Sequence, residues 1–279
     1  MGLRWRCRAP LGSTCPRAGG EWTDRRRGRT RQIRTRVRRT LMPIDDGVLT
    51  RASGILVGDP GVGKTCVLRA LRKRLPDAGF RLTYCHNVTL GRRDFYRQLC
   101  VALGLSASAT AASVFHAVSS HVHDLGRDQI HPVFLLDEAH LLHQDTLDHL
   151  HILLNYEWDS RALLSLILVG LPDLLDRLSL RRNRSLFSRM HKRLRVDPLT
   201  SADTGEYIRM RLARVGCDRE IFASDAVAML HEASLGGMRD TDRLATAALR
   251  EAARRKRKLV ERDAVARIIE IHTNGDTGV

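Results

Sequence analysis

No two of the six cysteines stand in C-x-x-C spacing. Cys7, Cys15, Cys66, Cys85, Cys100 and Cys217 are scattered, and several fall inside apolar runs. That argues against a disulfide framework and fits reduced, mostly buried thiols in a cytoplasmic protein. Long hydrophobic runs are lacking too. The longest, Ala162 to Leu171, is too short to cross a bilayer and reads as a core strand, so no membrane association is expected. The start of the chain has arginines but no apolar h-region, so no secretory signal is expected there. His140, His143, His149 and His151 lack cysteine or carboxylate companions at matching helical spacing, so surface and core histidines are expected there rather than a metal site. There is no internal repeat, and neither a helix-turn-helix nor a zinc finger stands out, so sequence-specific DNA readout is not expected.

Acidic residues are scarce at one end. Residues 1–40 carry thirteen Arg against Glu21 and Asp24, about two thirds of a formal net charge of +16 over 279 residues. That charge points to a polyanionic partner, most simply nucleic acid. Residues 1–40 are expected to be a basic tail, disordered at least over 1–30, with Arg31 to Leu41 as a basic helix leading into the core. The tail is either a DNA-gripping arm or a product of start-codon choice, since Met42 is an alternative start. The hydrophobic share of 43% supports a real core. The length holds one α/β domain and a small helical one.

Gly54-Ile55-Leu56-Val57 is a short apolar strand running into Gly58-Asp59-Pro60-Gly61-Val62-Gly63-Lys64-Thr65, a G-x-x-x-x-G-K-[ST] loop. Cys66, Val67, Leu68 and Leu71 then open a helix. Glycines let backbone N–H groups crowd around phosphate oxygens, and the helix N-terminus adds partial positive charge. Lys64 is placed to reach the β- and γ-phosphates, and Thr65 to offer a hydroxyl to Mg²⁺. Gly58 to Cys66 is therefore the candidate nucleotide-binding segment.

Pro132-Val133-Phe134-Leu135-Leu136-Asp137-Glu138 is an apolar run ending in two carboxylates. Buried parallel strands have this form, and open α/β sheets bind ligands at such strand ends. Asp137 is placed to hold Mg²⁺ directly or through water, and Glu138 to orient and deprotonate the water that attacks the γ-phosphate. Asp137-Glu138-Ala139-His140 also spells the tag of one helicase class. Such helicases need a second nucleotide-clamping domain of similar size, whereas only a short helical stretch follows here.

From about 50 to 199 the pattern alternates strand and helix. Strands are predicted at 54–57, 80–85, 132–136, 164–169 and Leu194 to Val196. Helices are predicted at 64–75, near 92–103 and 111–125, and at 145–156, with a short one after Pro172. Beyond Leu199 only helical periodicity remains. Thr200 to Asp203 has capping-box spacing, Ser224 is expected to cap a helix through Leu230, Leu244, Ala248 and Ala252 stripe the next, and Asp263 to Ile271 forms the last. The reading is a P-loop core with a three-layer parallel sheet over 41–199, a helical lid over 200–272 and a disordered end over 273–279.

These residues resemble AAA+ ATPases, most of all the branch with TniB/TnsC-type transposition ATPases and ExeA-like ATPases. The resemblance rests on Gly58–Thr65, Leu135–Leu142, Leu168–Leu174, Leu186–Met190 with Leu194–Leu199, and Gly236–Arg239, together spanning most of residues 50 to 255. It implies ATP and Mg²⁺ as ligands. It also implies a trans arginine finger, for which Arg189 matches the position and Arg184 competes, and a lid arginine, Arg239, that senses nucleotide within the same subunit. One departure stands out: the fourth strand ends in Gly170-Leu171 where many relatives carry a polar sensor residue, and leucine cannot hydrogen-bond. Slow, oligomerisation-dependent hydrolysis is therefore expected.

The function so implied is a DNA-associated regulatory ATPase. It would assemble as a homo-oligomer on duplex DNA through phosphate contacts from the tail, Arg181–Arg195 and Arg254–Lys258, and activate or target a transposase or integrase. The alternatives are an ExeA-like secretion-assembly ATPase, or a nucleotide-gated interaction module with little hydrolysis.

Overall fold

The computed structural model describes residues 44, 46–85, 89, 91–106, 111–155 and 162–275. The basic tail and the helix expected over Arg31 to Leu41 lie outside them.

Five parallel strands form one sheet in the order β2-β3-β4-β1-β5. They are β1 (Ser53–Val57), β2 (Phe80–Cys85), β3 (His131–Leu136), β4 (Ser165–Gly170) and β5 (Met190–Arg195). The three inner strands are buried at every residue, as near-continuous apolar sequence requires when both faces of a sheet are covered. Register places Leu56 opposite Val169 and Leu135 opposite Ile167.

Alternation then sorts the side chains into two cores. Leu56, Val133, Leu135, Ile167 and Val169 pack under Val67, Leu68 and Leu71 of α2 (Lys64–Arg74), with Ile44 and with Val48 of a short helix α1 at 46–49. Ile55, Val57, Phe134, Leu136, Leu166 and Leu168 face the other way. They meet Phe95 and Leu99 of α3 (Arg92–Leu103), Val118 and Val122 of α4 (Ala111–Arg127), and Leu147 and Leu150 of α5 (Gln144–Leu153). The same core takes Leu174 and Leu178 of α6 (Asp173–Ser179) and Leu186 of α7 (Arg184–Arg189).

Past the sheet, α8 (Ser201–Ala213), α9 (Ser224–Ser234), α10 (Met238–Arg254) and α11 (Arg262–Gly275) enclose a separate cluster that includes Leu230, Leu244, Ala248, Ala252 and Val265. Thr200 starts α8 with a complete capping box: its hydroxyl accepts from the Asp203 N–H, and the Asp203 carboxylate accepts from the Thr200 N–H. The fold is an α/β P-loop AAA+ fold with a helical C-terminal part, as its sequence predicts.

Several boundaries differ, most by a single residue. The last strand begins at Met190 rather than Leu194, because an edge strand buries only one face and its charged residues 191–193 mask the alternation. The helix predicted over 145–156 spans Gln144–Leu153, with Leu154 as its C-cap. Ser224 is the first residue of α9 rather than its cap, a place taken by Ala223, and the helix runs on to Ser234. The final helix continues through Gly275, past Ile271.

Candidate active site

The loop between β1 and α2 is shaped by its glycines. Gly61 and Gly63 have φ of 78° and 105°, a left-handed region that side-chain-bearing residues enter at a cost. Gly63 serves as the N-cap of α2 and provides no side chain, and the first turn holds no acidic residue. The positive end of the helix macrodipole is thus left for an outside anion. Thr65 and Cys66, in this first turn, are exposed. Pro60 is exposed, Val62 is buried in the α2 core, and Asp59 is half-buried.

Lys64 folds its ammonium back over the loop and donates to the Gly58 carbonyl at 2.6 Å and the Asp59 carbonyl at 3.0 Å. Burial lowers its pKa; the carboxylates of Glu138, Asp137 and Asp59 oppose that shift, and Arg239 adds to it. The lysine therefore shares one electrostatic neighbourhood with both carboxylates at the end of β3 and with Arg239 of α10. Two segments more than 70 residues apart in sequence converge because β4 alone separates β1 from β3 in the sheet.

Asp137, at the end of β3, is buried, and both of its oxygens are engaged. Oδ1 accepts the Glu138 N–H at 3.0 Å, and Oδ2 accepts the Tyr84 hydroxyl at 2.8 Å. The Tyr84 phenol is pushed up to about 12 by burial, by that hydrogen bond and by the charges of Asp137 and Glu138. Glu138 has φ of 54°, a left-handed conformation costing about 1–2 kcal/mol for a residue with a Cβ. The turn directs its side chain out of the strand, where it is 52% exposed. A 3-10 turn over Ala139–Leu141 follows.

The start of α10 closes over the loop. The Arg239 N–H donates to the Gly61 carbonyl at 3.2 Å. A Cβ placed on Gly61 would lie 3.1 Å from the Arg239 Cβ, and one on Gly63 would lie 2.9 Å from the Met238 Sδ. The loop glycines thus serve this close approach as well as the turn.

The arginine-rich segment is mostly spoken for. Arg182 pairs with Asp148 at 2.9 Å, Arg195 with Asp197 at 3.5 Å, and Arg193 lies 3.6 Å over the Phe187 ring. Arg189, half-buried at the end of α7, donates to the Ser185 carbonyl at 2.9 Å. Arg184 is exposed at the first residue of α7. In the basic cluster at the end of α10, Arg254 and Arg255 pair with Glu251 and Arg257 pairs with Glu261, while Lys256 and Lys258 are exposed.

Lys64, Asp59, Asp137, Glu138 and Arg239 share that electrostatic neighbourhood, whereas of the two finger candidates Arg189 bonds within its own helix and Arg184 faces solvent. Tyr84 escaped the sequence reading. The signal available was its place at the end of β2, paired with Leu135, beside the acidic end of β3. Among the described residues no helix is long and apolar enough to cross a membrane.

Residues 48–178 match the family model described as an AAA domain. The matched span holds the loop and both carboxylates. Over 227 residues the chain is 32% identical to general secretion pathway protein A of Aeromonas hydrophila, covering 80% of this chain and 41% of that protein. The chain therefore spans well under half the length of that relative.

Among solved structures, a chain of Drosophila ORC bound to DNA superposes with a TM-score of 0.62 at 20% identity, covering 93% of this chain and 70% of that one. The Aeropyrum pernix ORC2 protein gives a TM-score of 0.60 at 14% identity, over 90% of this chain and 68% of that one. The Thermotoga maritima RuvB Holliday junction branch migration motor gives 0.55 at 18%, over 84% and 68%. At these identities the likeness is one of fold.

Proposed function

We propose that the chain is an ATP-driven switch, which binds and slowly hydrolyses ATP, assembles on duplex DNA, and in the ATP state activates or targets a transposase or integrase. The observation that carries the reading is the meeting of Lys64 with Asp137, Glu138 and Arg239 around a helix N-terminus that no side chain caps. The donor set fits a magnesium nucleotide. Backbone N–H groups and an ammonium suit the phosphates, while an exposed threonine hydroxyl and a buried carboxylate suit the metal.

Each residue then has a task. Gly58 to Cys66 cradle the phosphates, and Lys64 leaves the loop carbonyls to meet the terminal ones. Thr65 and Asp137 hold magnesium, which, when bound, neutralises phosphate charge. Glu138 takes the proton of the water whose oxygen attacks the γ-phosphorus as the β–γ bridging bond breaks. Arg239 carries the state of the loop to the helical lid, residues 200–272. Arg184 is better available than Arg189 as the trans finger, because it is exposed and Arg189 is bonded within its own helix. A site finished by a neighbour hydrolyses only once assembled.

The net charge of +16 favours DNA as the assembly platform. The similarity to the secretion pathway protein favours a second reading, an ATPase that drives assembly of a secretion apparatus. Measuring ATP turnover and particle size with and without duplex DNA across a salt series separates them. DNA-dependent assembly that weakens steeply with salt supports the first, and indifference to DNA supports the second.

A further inference from the structure

Gly170 and Leu171 leave the end of β4 without a polar side chain, yet the space beside Gly170 is filled. A Cβ built on Gly170 would lie 3.2 Å from the main-chain nitrogen of His140 and 3.3 Å from its Nδ1. Any larger residue at 170 would claim the volume the imidazole holds. The His140 side chain is only 11% exposed. Its Nδ1 stands 3.5 Å from Glu138 Oε2, is shielded from solvent, and has no hydrogen-bond partner among the described residues. A buried polar atom left unpaired is costly, and a site that keeps one gains a partner in another state.

The mount of the ring is fixed on two sides. The Leu141 N–H donates to the Glu138 carbonyl at 2.9 Å, closing the turn that carries His140. Arg177, from α6, donates to the His140 carbonyl at 2.9 Å. Glu138 is the more exposed member of the pair, at 52% against 11% for His140.

We propose that His140 is a positioning residue for Glu138: its Nδ1–H holds the Glu138 carboxylate in its working place, and the absent side chain at Gly170 makes room for it. The polar function missing from the end of β4 is thereby supplied from the turn after β3. This rests on the reading of Glu138 as the general base. The 3.5 Å separation shortens to a hydrogen bond when the carboxylate swings inward.

The test compares wild type with Glu138→Gln, His140→Leu, His140→Asn and Gly170→Ala, reading ATP turnover, nucleotide affinity and the ring nitrogen NMR signals of His140. His140→Leu is expected to lower kcat about tenfold to hundredfold with KM for ATP little changed. His140→Asn, whose amide N–H reaches the same place, restores most of it. Gly170→Ala is expected to lower turnover less than His140→Leu, because its methyl would lie 3.1 Å from Leu174 Cδ2 and 3.3 Å from His140 Nδ1, which makes the ring give by a few tenths of an ångström. In nucleotide-free protein, Glu138→Gln shifts the His140 ring signals. That last measurement needs no activity and leaves the buried His140 side chain in place, so it stands even where His140→Leu does not fold.

Equal turnover for the leucine and asparagine variants, or ring signals unmoved by Glu138→Gln, would overturn the proposal. If wild type exceeds Glu138→Gln in turnover while His140→Leu equals wild type, only the role of His140 fails. If wild type turns over no faster than Glu138→Gln, the assignment of Glu138 falls and the role of His140 falls with it.

Discussion

The acidic end of β3 and the arginine-rich segment 181–195 both carry charge at the margin of the same sheet, but they are held in opposite ways. Asp137 is buried, with one oxygen on a main-chain N–H and the other on a tyrosine hydroxyl. The arginines are largely exposed and spread over unrelated partners: an aspartate on α5, a phenylalanine ring, a carbonyl one helical turn away. A carboxylate removed from water must have its partners built around it, so its position is informative. An exposed guanidinium is stable in many arrangements, each worth little, so its position is not. Burial, more than charge, is what makes a residue's role readable.

Substitutions test that contrast. Lys64→Ala should have the largest effect, lowering ATP affinity by about a hundredfold or more and turnover with it. Unchanged affinity in a nucleotide titration would remove the loop from the site. Glu138→Gln should lower turnover by about a thousandfold while ATP affinity persists. It should also trap an ATP-bound oligomer by light scattering, and a variant that stays monomeric with ATP defeats the switch. Within the exposed segment, Arg184→Ala should lower turnover by about a hundredfold without lowering affinity, and Arg189→Ala by much less. The reverse order returns the trans role to Arg189. The mildest change, Tyr84→Phe, should raise the Mg²⁺ concentration needed for half-maximal binding or turnover by about tenfold, because Asp137 loses the group that orients it. An unmoved magnesium midpoint makes the Tyr84 hydroxyl incidental.

Much of the fold was legible because its inner strands are apolar at nearly every position and its loop residues serve backbone geometry. Gly61, Gly63 and Lys64 are consecutive parts of one turn, so spacing along the chain is spacing in space. The β5 edge was read four residues short, since Met190 and Leu194 are its apolar markers and Lys192 and Arg193 stand between them. Tyr84 and His140 escaped for a different reason. Each acts on a β3 carboxylate from another strand end or from a turn, and that proximity depends on strand order and on the absent side chain at Gly170. Sequence carries periodicity along a strand but not the identity of the strand beside it.

The main-chain bond from Arg239 to Gly61 has a bearing on how this protein can be taken apart experimentally. It joins the helical C-terminal part to the loop through peptide groups, so replacing the Arg239 side chain by alanine leaves that tether whole. Arg239→Pro removes the donor at the second position of α10, in the first helical turn, where the ring is tolerated. Only such a backbone edit, set beside the alanine variant, separates what the guanidinium contributes from what the main-chain tether contributes.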